Sequence, residues 1–137
     1  FVYGTLKKGF PNHAGLMDKA EHLGTGTSLE CYPLLVAGRW HSPVLKEEVG
    51  VGYQVSGELY SVDADTLTQI DTFEGTDRKD GYYRKAIIVV ADHKRASRSD
   101  QVKADTYFKQ PSAIKLVSEG PLRCFPNQNQ YVPQTHR

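Results

Sequence analysis

Two short stretches hold the residues best suited to chemistry: Tyr3-Gly4-Thr5-Leu6 near the start and Phe73-Glu74 in the middle. In the first, Gly4 interrupts the apolar run Phe1-Val2-Tyr3 and leaves the following main-chain amides available. Such a junction brings backbone donors, with the Tyr3 hydroxyl beside them, close to a small carboxylate or an oxyanion. In the second, Glu74 closes an apolar helical stripe. The negative end of the helix dipole disfavours a carboxylate there by about 0.3–1 kcal/mol. That field, with burial beside Phe73, would raise the carboxyl pKa and make it a better proton acceptor near neutral pH. A local choice that breaks the rules marks a functional candidate. Plainer readings stand beside these: a first strand ending in a turn, and a solvated glutamate opening the 75–81 loop.

Strand-like segments must position both stretches. Leu23 to Leu29 is small and threonine-bearing, Tyr32 to Val36 is apolar and ended by Ala37-Gly38, and Pro43-Val44-Leu45 reads as a short edge piece. Gln54 to Tyr60 alternates faces, with Val55, Gly57 and Leu59 on one side. Tyr82 to Val90 carries a β-branched run, and Lys103 to Phe108 would pair with it across the polar 92–101 loop. The principal helix is expected over 63–73, capped by Asp63, with Ala64, Leu67, Ile70 and Phe73 as its apolar stripe. Short helical turns are expected at Ala14–Lys19 and at Ser112–Val117, the latter capped by Ser112. The tail from Pro121 reads as irregular chain that wraps the body. Many strands with one principal helix give an α+β fold, a small mixed β-barrel with that helix on its side.

With 137 residues the chain is expected to form a single domain, 1–137. Lys+Arg number 17 against 16 Asp+Glu, which argues against a basic nucleic-acid footprint. No apolar run approaches the roughly 20 residues of a membrane helix. The first residue is Phe1 rather than methionine, so an upstream segment is compatible with the sequence. With no export signal visible, a cytoplasmic location is expected. Lys94-Arg95 and Arg98 alternate with Asp92 and Asp100 as a solvated loop. Cys31 and Cys124 lack metal-site spacing and read as free thiols, with a long-range disulfide or a nucleophile as the alternatives. The histidines at 13, 22, 41, 93 and 136 are scattered without ligand spacing. No phosphate loop, nucleophile elbow or dinucleotide fingerprint occurs. Eight tyrosines are an enrichment that sheet packing mostly explains, with one or two open to lining a polar pocket.

Taken together, the motifs resemble the γ-glutamylamine cyclotransferases of the γ-glutamylcyclotransferase superfamily. The resemblance starts at Val2-Tyr3-Gly4-Thr5-Leu6-Lys7 and Gly9-x-Pro11-Asn12-His13. It continues through Tyr32-Pro33-Leu34, Ala37-Gly38, Gly57 to Asp63, Leu67, Asp71 and Phe73-Glu74. Tyr83-Arg84, Ser118-Glu119-Gly120-Pro121 and Tyr131-x-Pro133 complete it. It implies a compact barrel with one cavity, no cofactor, no metal, and a monomer acting on a small γ-glutamyl substrate. Glu74 would be the general base, and Tyr3, Gly4, Thr5 and Leu6 would hold the substrate. The reaction implied is attack of the γ-glutamyl α-amine on its own γ-carbonyl, releasing 5-oxoproline and an amine. The substrate implied is γ-glutamyl-ε-lysine from transglutaminase cross-links. Holding attacker and target in one ring-closing geometry is the main catalytic demand of such a reaction.

The loop Arg78-Lys79-Asp80-Gly81, the 92–101 loop and the tail between Pro121 and Tyr131 depart from the family pattern. If these loops shape the leaving-group pocket, activity on γ-glutamyl-α-amino acids or glutathione-like peptides stays open. So does a non-catalytic, ligand-binding role.

Overall fold

The computed structural model describes residues 1–92, 100–126 and 130–137. His93 and the Lys94-Arg95 and Arg98 cluster lie outside the described residues. In chain order the elements are α1 (His13–Leu16), β1 (Glu21–Tyr32), β2 (Leu34–Ala37), β3 (Ser42–Leu45), β4 (Tyr53–Ser61), α2 (Ala64–Glu74), β5 (Tyr82–Ala91) and β6 (Gln101–Lys109). Single 3-10 turns follow at Pro111–Ala113 and Gln134–His136.

The fold is α+β. Four strands form one antiparallel sheet in the order β4-β1-β5-β6, and β2-β3 form a separate hairpin. Of the expected α+β fold only the barrel detail differs: among the described residues the ladders are antiparallel and leave β4 and β6 as the outer strands of the sheet. Pro33 explains the split. It has no N–H to donate, so the chain leaves the β1 ladder after Tyr32 and starts a new pairing at Leu34. Both sheets still feed one core. Leu34, Val36 and Leu45 of the hairpin meet Val55, Leu59, Val89 and Phe108 of the larger sheet.

The alternation read in the sequence of β4 is the alternation observed: Val55, Gly57 and Leu59 are buried in turn. Gly57 has a further reason to be glycine. A Cβ there would lie 2.4 Å from the Val2 carbonyl oxygen and 2.8 Å from the Phe1 ring. The first residues run across this bare stretch of β4, and Val2 and Glu58 exchange backbone hydrogen bonds of 2.9 Å each way. The expected first strand over Phe1-Val2-Tyr3 is therefore a single bridge at Val2, not a strand.

Asp63 caps α2 as expected, its Oδ1 accepting from the Thr66 amide at 2.7 Å. Gly75 ends the helix in the left-handed conformation (φ 71°), where glycine carries no Cβ penalty. The buried face differs from the expected stripe. Thr66 and Ile70 are buried, Leu67 and Phe73 partly so, and Ala64 is exposed. The helix presents positions 66, 70 and 73 to the sheet, which rotates Ala64 in the first turn to solvent.

Two short helices differ as well. At α1, Ala14 and Gly15 leave helical dihedrals. The helix expected at Ser112–Val117 is one 3-10 turn at Pro111–Ala113, without a side-chain cap. Its continuation serves β2 instead. Gly38 donates to the Lys115 carbonyl, and Ser118 donates to the Val36 carbonyl. Cross-chain pairing thus takes the backbone groups a helix would have used. The tail wraps the body as expected. Leu122 donates to the Leu34 carbonyl, Ser56 donates to the Arg123 carbonyl, and Phe125 is buried in the core. Cys31 and Cys124 are free.

Candidate active site

Residues 4–7 are buried and form a tight turn at the edge of β4. Gly4 permits this because a Cβ would meet the Pro43 ring at 2.6 Å, so β3 packs directly on the turn. The amides of Gly4, Thr5 and Leu6 donate to no acceptor among the described residues. Three consecutive donors without acceptors, in a buried turn, call for an anionic or carbonyl partner.

The surrounding side chains fix that turn. The Thr5 hydroxyl and the Tyr131 hydroxyl both accept from Asn12 Nδ2, at 2.8 and 2.6 Å. His13 Nδ1 lies 2.8 Å from the Leu6 carbonyl oxygen. Lys7 is buried, donates to the Phe125 carbonyl at 2.8 Å and stacks over Phe10, so it ties the turn to the tail. The Tyr3 hydroxyl donates to the Tyr107 carbonyl at 2.6 Å. The hydroxyl proposed from sequence as a ligand donor is therefore already engaged with β6.

The turn lines a cavity of about 290 Å³, and Glu74 lines the same cavity. The two stretches singled out in the sequence meet there. Glu74 is the last residue of α2, and its remaining exposure opens to the cavity. Burial pushes its carboxyl up to about 7, and the Lys109 ammonium only partly opposes that. Tyr3, Tyr82, Tyr107 and Tyr131 also line the space, so the tyrosine excess does supply a polar pocket. Tyr82 donates to the Pro43 carbonyl at 2.8 Å, and Tyr107 donates to Asp71 at 2.5 Å. Burial first holds the Tyr3 and Tyr82 hydroxyls well above the usual phenol range, followed by the Tyr82 and then the Glu74 charge at Tyr3 and by the Glu74 charge at Tyr82. These tyrosines are hydrogen-bond donors, not bases.

Sequence reasoning had pointed to the Arg78–Gly81 loop and the tail as possible pocket walls, but singled out none of the remaining lining residues as site residues. Trp40 and Pro43 come from the β2–β3 hairpin, Lys109 from the end of β6, and Gln134 and Arg137 from the tail. Arg78 and Asp80 come from the loop that departs from the family pattern.

A family described as gamma-glutamyl cyclotransferase, AIG2-like, matches residues 1–128. The chain belongs to this family. Both proposed elements fall inside the matched region of this AIG2-like cyclotransferase chain. It is 44% identical over 79 residues to a gamma-glutamylaminecyclotransferase of Rattus norvegicus, covering 55% of this chain and 53% of that one. It is 42% identical over 93 residues to the Mus musculus protein of the same name, covering 65% and 61%. The chain thus spans only about half to three fifths of the length of these relatives. The crystal structure of an AIG2-like protein from Mus musculus superposes with a TM-score of 0.71 at 33% identity, over 94% of this chain and 95% of that one.

Proposed function

We propose that this AIG2-like cyclotransferase chain is a γ-glutamylamine cyclotransferase acting on γ-glutamyl-ε-lysine. The observation that carries the reading is one cavity lined both by the raised Glu74 carboxyl and by the unsatisfied amides of Gly4, Thr5 and Leu6. The printed names of the rat and mouse relatives support it.

In this reading the Glu74 carboxylate takes a proton from the α-ammonium of the γ-glutamyl unit. The freed amine attacks the γ-carbonyl carbon, and its electron pair becomes the new ring C–N bond. The carbonyl π electrons move to oxygen, where the 4–6 amides stabilise the charge. The oxyanion then collapses, the bond to the leaving nitrogen breaks, and Glu74 returns the proton to that nitrogen, while the positively charged ring nitrogen gives its second proton to the departing amine, leaving a neutral lactam and an ammonium. The products are 5-oxoproline and lysine. The chain works as a single domain and as a monomer.

Incubation with γ-glutamyl-ε-lysine is expected to release 5-oxoproline at a rate well above that from γ-glutamyl-alanine. A clear preference for γ-glutamyl-alanine would refute the amine-specific reading, and no turnover of either would refute the enzyme. The pH profile is a separate check. The base must be ionised, so kcat/KM should rise through an acid limb near pH 7 and fall about tenfold per unit well below it. A limb near pH 4.5, the ordinary value for glutamate, would overturn the raised, buried carboxyl at Glu74.

A further inference from the structure

We propose that Lys109 holds the α-carboxylate of the γ-glutamyl unit, which leaves the 4–6 amides to the carbonyl oxygen. This rests on the cyclotransferase reading above.

The substrate brings two negative centres to the cavity: a standing carboxylate, and charge that develops on the γ-carbonyl oxygen. Three cations line the space, Arg78, Lys109 and Arg137. Arg78 faces Asp80 at 3.7 Å. Arg137 donates to the Val132 carbonyl at 3.0 Å and stacks 5.2 Å from the Trp40 ring. The Lys109 ammonium makes no hydrogen bond and no ion pair among the described residues. It is half-buried, and its ammonium lies 4.5 Å from the centre of the Tyr82 ring. The β5–β6 register places it there, since Tyr82 and Lys109 are paired across the ladder. Tyr82 is in turn pinned by its bond to Pro43, the residue packed on Gly4. A half-buried ammonium with no carboxylate in direct contact among the described residues, on a fixed aromatic support, is a ready carboxylate site.

Connectivity selects which carboxylate. The α-ammonium that reaches Glu74 and the α-carboxylate share one carbon, so the carboxylate must lie beside Glu74. Of the three cations, Lys109 is the one whose field reaches the Glu74 carboxyl. The charged groups acting on Lys109 are Asp80 and Glu74, which favour its ammonium, and Arg78 and Arg137, which oppose it. Burial also disfavours the charge, and an arriving carboxylate relieves both penalties.

The test compares two substrates that cyclise alike. γ-Glutamyl-n-butylamide carries the α-carboxylate, and 4-aminobutanoyl-n-butylamide lacks it. Neither has a carboxylate on its leaving amine. In Lys109→Met, kcat/KM for the first should fall about 10- to 100-fold, the worth of one charge-assisted contact. For the second it should change less than about threefold, and Lys109→Arg should restore most of the difference. Calorimetry gives a readout independent of turnover. 5-Oxoproline should bind Lys109→Met about 10- to 100-fold more weakly than the wild type, while 2-pyrrolidinone, without the carboxylate, should bind both alike. Equal losses on both substrates would overturn the proposal, because Lys109 would then act only on Glu74 or on folding. Loss confined to discrimination between γ-glutamyl-ε-lysine and γ-glutamyl-n-butylamide would also overturn it, in favour of a contact to the leaving amine. Wild-type protein that binds 5-oxoproline but turns over no γ-glutamyl amide would sink the enzymatic reading and leave the carboxylate site standing.

Discussion

Glu74→Gln is expected to cut 5-oxoproline release by at least about 10³-fold while the fold persists, because the amide keeps the shape but cannot take a proton. The same substitution should stabilise the protein above neutral pH. An unfolded glutamate loses its proton near 4.5, and the folded one near 7. The native state therefore binds that proton more tightly than the unfolded chain does. Its contribution to stability is complete below about pH 4.5, declines as pH rises, and is lost above about 7. Glutamine does not titrate, so its advantage should be absent at pH 4 and reach about 1–3 kcal/mol at pH 8, allowing for water in the cavity. Denaturant unfolding of both proteins at the two pH values checks this. Near-normal activity in the variant would exclude Glu74 as the base. Equal stability at pH 8 would exclude a buried, ionised carboxylate as the strained element.

Gly57→Ala should damage the site from a distance. The added methyl would sit 2.4 Å from the Val2 carbonyl oxygen, a backbone atom that cannot rotate away. Either β4 or the first residues must shift, at about 1–3 kcal/mol for an overpacked position. The Val2–Glu58 bridge is what delivers Tyr3 to Leu6 to the cavity, so the amides should move with it. A displacement near 1 Å is enough to lower kcat/KM about 100-fold. The acid limb of the pH profile should stay near 7, because Glu74 is held by α2. Ser56→Ala, on the opposite face of β4, is the control and should leave kinetics unchanged. Wild-type kinetics in Gly57→Ala would show that the first residues do not depend on β4 for their position.

Much of the scaffold was legible because it is local. The alternation of β4 needs only the two-residue repeat of a strand with one buried face. The start of α2 needs only the Asp63 carboxylate and the amide three residues on. The pairing of β5 with β6 followed from two matched runs and the polar segment between them. The misses have a common cause. At Ser112–Val117 a helical reading gave way because Lys115 and Ser118 supply hydrogen bonds to the β2 region. At Thr66 a polar residue is buried and Ala64 exposed, because the sheet decides which helical face is covered.

The site divides the same way. Glu74 and the Tyr3–Leu6 turn were visible alone, one as a carboxylate against a helix dipole, the other as a glycine break with spare amides. Lys109 was not visible, and the margin was one residue: the expected strand stopped at Phe108, while β6 runs on to Lys109. Nothing local distinguishes that lysine from any other at a strand end. Its meaning comes from the register that sets it over Tyr82, and from the hairpin and tail that close the cavity around it. The sequence carried most of the element types and the two stretches proposed here to move a proton and hold an oxyanion. The tertiary structure decided their meeting in one cavity and the charges they meet there, because those depend on burial and cross-strand register, which the order of residues along one segment does not encode.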